Sequence, residues 1–199
     1  TQGGWSERSD VYKGQHLAMP RVGHPEQAFH MFGCLKSHPK RKLAFDPAHP
    51  SIHENRFQRC DWTEFHRDAK EAIPNNMPTP RGNCVSTHCF ADANHVGDAE
   101  TRRCQTGISL FCNTAPIIWF SKRQNSVEAS TFGSEFTAMK NAVEMTEALR
   151  CKLRMFGVPL DGPTNVFCDN GAVAVNTTRP ESTLSKKHHS IACHRVREA

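Results

Sequence analysis

The order of apolar patterns between residues 84 and 177 restricts the fold more than any other feature of the chain. Cys84 to Ala91 is a short β-like run that ends on Asp92. Gly107 to Asn113 and Ala115 to Ser121 read as two further strands joined by a tight turn at Asn113-Thr114, which makes a three-strand meander. A helical pattern of about 25 residues follows from Ser130 to Phe156, with Phe136, Met139, Val143, Leu149, Leu153 and Phe156 on its apolar face. Gly157, then Val158-Pro159, stops that helix as a C-terminal glycine and a following proline do. Thr164 to Cys168 is a fourth short strand, ending on Asp169-Asn170, and a small-residue helix runs from Gly171 to Thr177. Ser185 to Ala199 is basic and compatible with a last helix. Strands and helices in this order predict an α/β fold in which helices cover a mixed sheet.

Within that order, three acids hold related places: Asp92 at the end of the first strand, Glu135 early in the long helix, Asp169 at the end of the fourth strand. Taken singly each has an ordinary structural role, as a turn residue, a solvated helix acid or a strand-end cap. Taken together, two strand ends and one helix face can gather three carboxylates around one point. Divalent metal catalysis requires such a set of hard oxygen ligands, rigidly held. The carboxylate oxygens are then expected within roughly 4–8 Å of one another.

The first 83 residues have a different character. They hold eight of the twelve prolines and seven of the twelve histidines, so turns and only short regular elements are expected there. Ala28, Phe29, Met31, Phe32 and Leu35 form one helical stripe between Pro25 and His38, and Trp62, Phe65, Ala69 and Ala72 form another before Pro74. A loop is expected around Asp46-Pro47 and Pro50. Residues 75–82, rich in Asn, Pro and Gly, read as a linker, which divides the chain into residues 1–83, with little independent fold, and a domain over 84–199.

Composition narrows the function classes. The net charge is +5, with 12 basic against 9 acidic residues up to position 83 and 13 against 11 after it, so neither part is a basic tail and any phosphate contact must come from local clusters. No run approaches the ~18 apolar residues needed to cross a bilayer, and Thr1-Gln-Gly-Gly-Trp5 is no signal peptide, so neither membrane insertion nor secretion is expected. The nine cysteines are scattered without a Cys-x-x-Cys pair, which reads as reduced intracellular thiols.

The neighbours of the acids carry a resemblance. Phe90-Ala-Asp-Ala-Asn-His-Val-Gly-Asp-Ala-Glu-Thr-Arg-Arg-Cys-Gln-Thr-Gly107, then Ala115-Pro-Ile-Ile-Trp-Phe-Ser-Lys-Arg-Gln124, Ser130-Thr-Phe-Gly-Ser-Glu-Phe-Thr-Ala138 and Phe167-Cys-Asp-Asn170 follow one another in order. Lys187-His188 and His194-Arg-Val-Arg-Glu198 complete the series. It resembles the ribonuclease H domain of copia-type retrotransposon polyproteins. Residues 20–73, with Gly33-Cys-Leu-Lys36 and Lys42-Leu-Ala-Phe45, look like the tail of the reverse transcriptase that connects into that domain, whose Tyr-x-Asp-Asp motif is absent here. Residues 1–15 match nothing in that family.

The resemblance implies a ribonuclease H fold and a metal-dependent endonuclease that hydrolyses the RNA strand of RNA/DNA hybrids during reverse transcription. It implies two Mg²⁺ or Mn²⁺ ions held by Asp92, Glu135 and Asp169, with Asp92 as the bridging ligand. The implied partners are the hybrid and the reverse transcriptase portion of the same polyprotein, and the implied setting is the cytoplasm, in a retroelement particle, or the nucleus. The family carries a fifth strand and a last helix with a fourth acid that the sequence to Ala199 does not reach, and His189-Ser190 replaces its usual acid after Lys-His. The expectation is a fold truncated before those elements and a chain that alone cleaves slowly or not at all. The rival expectation is a noncatalytic element remnant that at most binds nucleic acid.

Two further groups stand out. Arg102 and Arg103 follow the first strand and Lys122 and Arg123 the third, so all four are candidates to contact the phosphates of a duplex recognised by shape and 2′-hydroxyls. Asn170 is a candidate for the same role, or a cap for the helix that follows it. His188, His189, Cys193 and His194 form a metal-like cluster, but no second ligand pair has matching spacing, so no tetrahedral zinc site is expected, and a zinc-stabilised binding module is the third and least favoured reading.

Overall fold

A computed structural model describes residues 23–40, 42–52, 57, 60–67, 70–95, 101–184 and 189–199. In chain order the elements are α1 (Gly23–Ser37), β1 (Thr87–Asn94), β2 (Gln105–Cys112), β3 (Ala115–Arg123), α2 (Thr131–Met155), β4 (Asn165–Phe167), α3 (Gly171–Thr178) and α4 (Ser190–Arg197). The strands form one mixed sheet in the order β3-β2-β1-β4, with β1 antiparallel to β2 and parallel to β4, and helices flank it. This is the α/β architecture expected from the sequence, consistent with a ribonuclease H-like fold.

Alternation along the strands assigns the two faces of the sheet. Cys89 and Ala91 on β1 and Ile108 and Leu110 on β2 are buried together with Ala142 and Leu149 of α2, so these positions face the long helix. A second cluster, Phe136, Met139, Val143, Val173 and Cys193, joins α2 to α3 and α4. Full burial of a side chain such as Phe136 contributes on the order of 2–3 kcal/mol. The long helix thus serves both cores, which fixes its position along the sheet.

Local chemistry sets the ends of the elements. Ser130 caps α2 by accepting from the Gly133 N–H, and at the other end Val158 N–H reaches the Leu153 carbonyl at 2.9 Å and Gly157 N–H reaches Arg154 at 2.8 Å. Gly157 has φ +72°, the left-handed conformation that such a helix stop needs. In the β2–β3 hairpin, Asn113 takes φ +53°, and its side chain accepts from Ser86 N–H at 2.9 Å and donates to the Pro47 carbonyl at 2.8 Å.

Two expectations for the amino-terminal segment change. No helix forms over residues 62–72 among those described; Asp61 Oδ1 accepts from both the Thr63 N–H and hydroxyl, and a turn follows at residues 63–65. A local aspartate turn competes with the helix, and the segment's long side chains are used elsewhere. Trp62 Nε1 donates to the Thr178 carbonyl at 3.1 Å, and Glu71 receives Arg150 and Arg154 of α2 together, at 2.7 and 2.6 Å. The strand expected from Cys84 starts only at Thr87, because Val85 makes a parallel bridge to Leu160 instead.

Asp46, Ala48, Trp62, Glu71, Arg81 and Val85 are therefore tied to the sheet and its helices. Thr114 N–H and hydroxyl bond to the Ala48 and Asp46 carbonyls, Arg81 N–H to Gly157, and Val85 N–H to Pro159. Of the apolar stripe of α1, Phe29, Phe32 and Leu35 are exposed. No described helix is long and apolar enough to cross a membrane.

Candidate metal centre

Strand register brings the two aspartates level. Asn165 to Phe167 of β4 pair with His88 to Phe90 of β1 in parallel, and extending that register by two residues sets Asp169 beside Asp92. The turn after Asp169 is fixed by Asn170, whose Oδ1 accepts from the N–H groups of Ala172 and Val173 at 3.1 and 3.2 Å. Glu135 enters from α2, one turn beyond its cap. One ligand oxygen from each of Asp92, Glu135 and Asp169 lies within 4.8 Å of the others.

The three acids differ in surroundings. Asp169 is exposed and Asp92 half-buried, with its Oδ1 accepting from Ala93 N–H at 2.8 Å. Glu135 is 8% exposed, and its Oε2 is buried without a hydrogen-bond partner. Burial first, then the charges of Asp92 and Asp169, push its pKa up to about 8. Like charges at 4.8 Å repel by roughly 3–4 kcal/mol per pair at an effective dielectric of ~20, so the cluster needs protons or a cation.

A hard divalent cation fits this donor set. All three groups offer carboxylate oxygen, one face is open at Asp169, and the orphaned Oε2 of Glu135 lacks the partner that a cation would supply. Nothing in the triad favours zinc, which takes nitrogen and sulfur ligands.

The predicted cations gather at the same end of the sheet. Asn94, where β1 ends, pairs with Gln105, and Gln105 pairs with Arg123; Lys122 pairs with Thr106. Arg102 is exposed at φ +57° just before β2, Lys122 is exposed, and Arg103 and Arg123 are half-buried. Asn170 keeps its side-chain oxygen on the α3 cap, so any contact to nucleic acid falls to its amide N–H₂ group.

The histidine and cysteine cluster is dispersed into packing. His189 is buried, with Nε2 at 3.3 Å from Glu128 Oε2 and its ring against Phe132 and Phe136. Cys193 is buried and directs its thiol to the Asn176 carbonyl, His194 is exposed, and His188 lies outside the described residues.

One feature escaped the sequence reading. Asp92, inside β1, and Asp169, just past β4, each stand two residues beyond a phenylalanine, Phe90 and Phe167, and the two rings stack at 4.9 Å and 15°. Period-two alternation puts each phenylalanine on the same sheet face as its aspartate, a signal present in the sequence once both strands are placed.

No family model matches the chain. Curated proteins similar to it include the retrovirus-related Pol polyproteins from transposons RE2 and RE1 of Arabidopsis thaliana, 26% and 27% identical over 117 residues. Over this stretch the chain is similar to retrotransposon Pol polyproteins. The match covers 59% of the chain but 8% of each relative, so it corresponds to a small part of a much longer polyprotein.

Proposed function

We propose that this chain supplies the ribonuclease H step of a retrotransposon: metal-dependent hydrolysis of the RNA strand in RNA/DNA hybrids made during reverse transcription. The observation that carries the reading is the convergence of Asp92, Glu135 and Asp169 within 4.8 Å on a mixed sheet flanked by helices. The similarity to Pol polyproteins and the resemblance of the acid-bearing segments support it. On this reading the chain works beside the reverse transcriptase portion of its polyprotein, within the cell, in a cytoplasmic particle or the nucleus.

Asp92, Glu135 and Asp169 would hold Mg²⁺ or Mn²⁺. When bound, two such ions lower the pKa of the attacking water and stabilise the leaving 3′ oxygen. Water adds to phosphorus as the bond to O3′ breaks, leaving 3′-hydroxyl and 5′-phosphate ends. Glu135, in its ionised form, would hold the cation from the buried wall of the site and Asp169 from its open side. Arg102, Arg103, Lys122 and Arg123 meet the hybrid's phosphates and position it without reading sequence.

The test is a labelled hybrid incubated in Mg²⁺ and, separately, Mn²⁺ with the 199-residue chain and with the same chain joined to a last strand and helix from a related element. Slow or no cleavage by the first and cleavage of the RNA strand by the second, lost by about 100-fold or more in Asp92→Asn, is the expected result. A hybrid left uncut by the extended chain in both metals, or cleavage that survives Asp92→Asn, overturns the reading.

A further inference from the structure

Gln124 follows the last residue of β3 and carries a buried carboxamide that joins the sheet to α2. Its backbone N–H donates to the Cys104 carbonyl at 2.8 Å, which fixes where the side chain starts. Nε2 then donates twice, to the Thr106 hydroxyl on β2 at 3.0 Å and to the Ser134 carbonyl in the first turn of α2 at 2.9 Å. Both acceptors are neighbours of the acid cluster. Ser134 precedes Glu135 in α2, and Thr106 is the cross-strand partner of Ala93, which follows Asp92 in β1. A single amide thus spans the gap between the helix that carries one acid and the sheet that carries the other.

Resting on the reading of Asp92, Glu135 and Asp169 as a cation site, we propose that Gln124 is a positioning residue whose amide sets the separation of Glu135 from Asp92, and so the affinity of the cluster for a divalent cation. The apolar packing of α2 on the sheet is non-directional. Two N–H···O bonds from one planar group fix both distance and direction. Cation ligands need that precision, since they must be held within about 0.5 Å of their working geometry. Stability gives little reason for the amide. A carbonyl inside a helix already accepts from the N–H four residues on, so α2 does not need this donor. Gln124 Oε1 is also buried without a hydrogen-bond partner, a cost that an apolar side chain of the same shape avoids. A polar group that adds little to stability but bridges the two acid-bearing elements is explained by the spacing it holds.

Titration with Mn²⁺, followed by the paramagnetic resonance of the free ion and with no substrate present, tests the proposal on the 199-residue chain and on its extended form. The double variant Gln124→Met/Thr106→Val replaces both partners of one bond with apolar groups of similar volume. It should melt within about 5 °C of the parent and bind Mn²⁺ about tenfold or more weakly. Gln124→Asn, one methylene too short to reach both acceptors, should also bind more weakly, whereas Thr106→Ser, which keeps the acceptor, should stay within about twofold. An amide with a structural role alone would move the melting temperature and leave the affinity of the folded protein unchanged. Parent-like affinity in both the double variant and Gln124→Asn overturns the proposal and leaves the cation site standing. No uptake of Mn²⁺ by either parent form overturns the cation site and the proposal together.

Discussion

Glu135 on α2 and Asp92 on β1 set carboxylate oxygens within 4.8 Å of each other, although 43 positions separate them in the chain. Folding forces these like-charged groups together, and Glu135 responds by holding its proton, with a pKa of about 8 against an ordinary 4.5. The sign follows from linkage: the folded state binds this proton more tightly than the unfolded state, so its stabilising effect is complete below pH 4.5 and is lost as pH rises to about 8. Without divalent metal, the melting temperature should fall across that window. Mg²⁺ should restore it at pH 8 by occupying the deprotonated site. Thermal melts at pH 5, 6.5 and 8, with and without Mg²⁺, check both parts; a flat profile without metal contradicts the placement of Glu135.

Glu135→Gln separates stability from function. The amide cannot ionise, so the variant should lose most of the pH dependence between 4.5 and 8 and melt higher than the parent at pH 8 in chelator. It should also lose the stabilisation by Mg²⁺, having given up a ligand charge. The same melts on the variant decide it, and a full Mg²⁺ response would exclude Glu135 as a ligand.

The strap over α2 depends on one side chain. Glu71 receives Nε and Nη2 of Arg150 and both Nη groups of Arg154. The Arg150 hydrogen bond, foremost, holds its pKa below the usual carboxylate range, so this contribution is present at neutral pH and lost as pH falls below about 4.5. Glu71 is partly exposed, and two paired guanidinium contacts of this kind contribute about 1–2 kcal/mol together. Glu71→Gln should lower stability by that amount in urea unfolding at pH 7 and speed proteolysis between residues 60 and 80. Parent and variant should converge near pH 3.

What the sequence revealed, and what it hid, follows from the range of the interactions. The hairpin turn at Asn113-Thr114, the stop at Gly157 and the placement of all three acids were legible, because each depends on a pattern of a few neighbouring residues. The start of β1 was not, because Val85 is drawn to Leu160, 75 positions away. The helix expected over residues 62–72 failed for the same reason, since Trp62 and Glu71 are held by Thr178, Arg150 and Arg154. In the candidate site, the acids were legible and the burial that makes Glu135 unlike the other two was not; burial is set by the packing of α2 across the whole sheet.

The Glu128–His189 pair gives the last prediction, at a position where an ordinary helix rule reverses. Gly133 lies in the first turn of α2, where alanine normally stabilises a helix by about 1 kcal/mol. A Cβ at Gly133, however, would come within 2.6 Å of Glu128 Oε2 and 2.9 Å of His189 Nε2. Neither can step aside at no cost: the His189 ring is buried against Phe132 and Phe136, and the Glu128 side chain is 11% exposed. Gly133→Ala should therefore destabilise by about 1–3 kcal/mol, as overpacking does. His189→Ala should remove one of the two obstacles, so the double variant Gly133→Ala/His189→Ala should lose less than the sum of the single losses. Urea unfolding of the four proteins gives the coupling. Additive losses would mean that the pair does not sit against Gly133 in solution, and that α4 is joined to the start of α2 by other contacts.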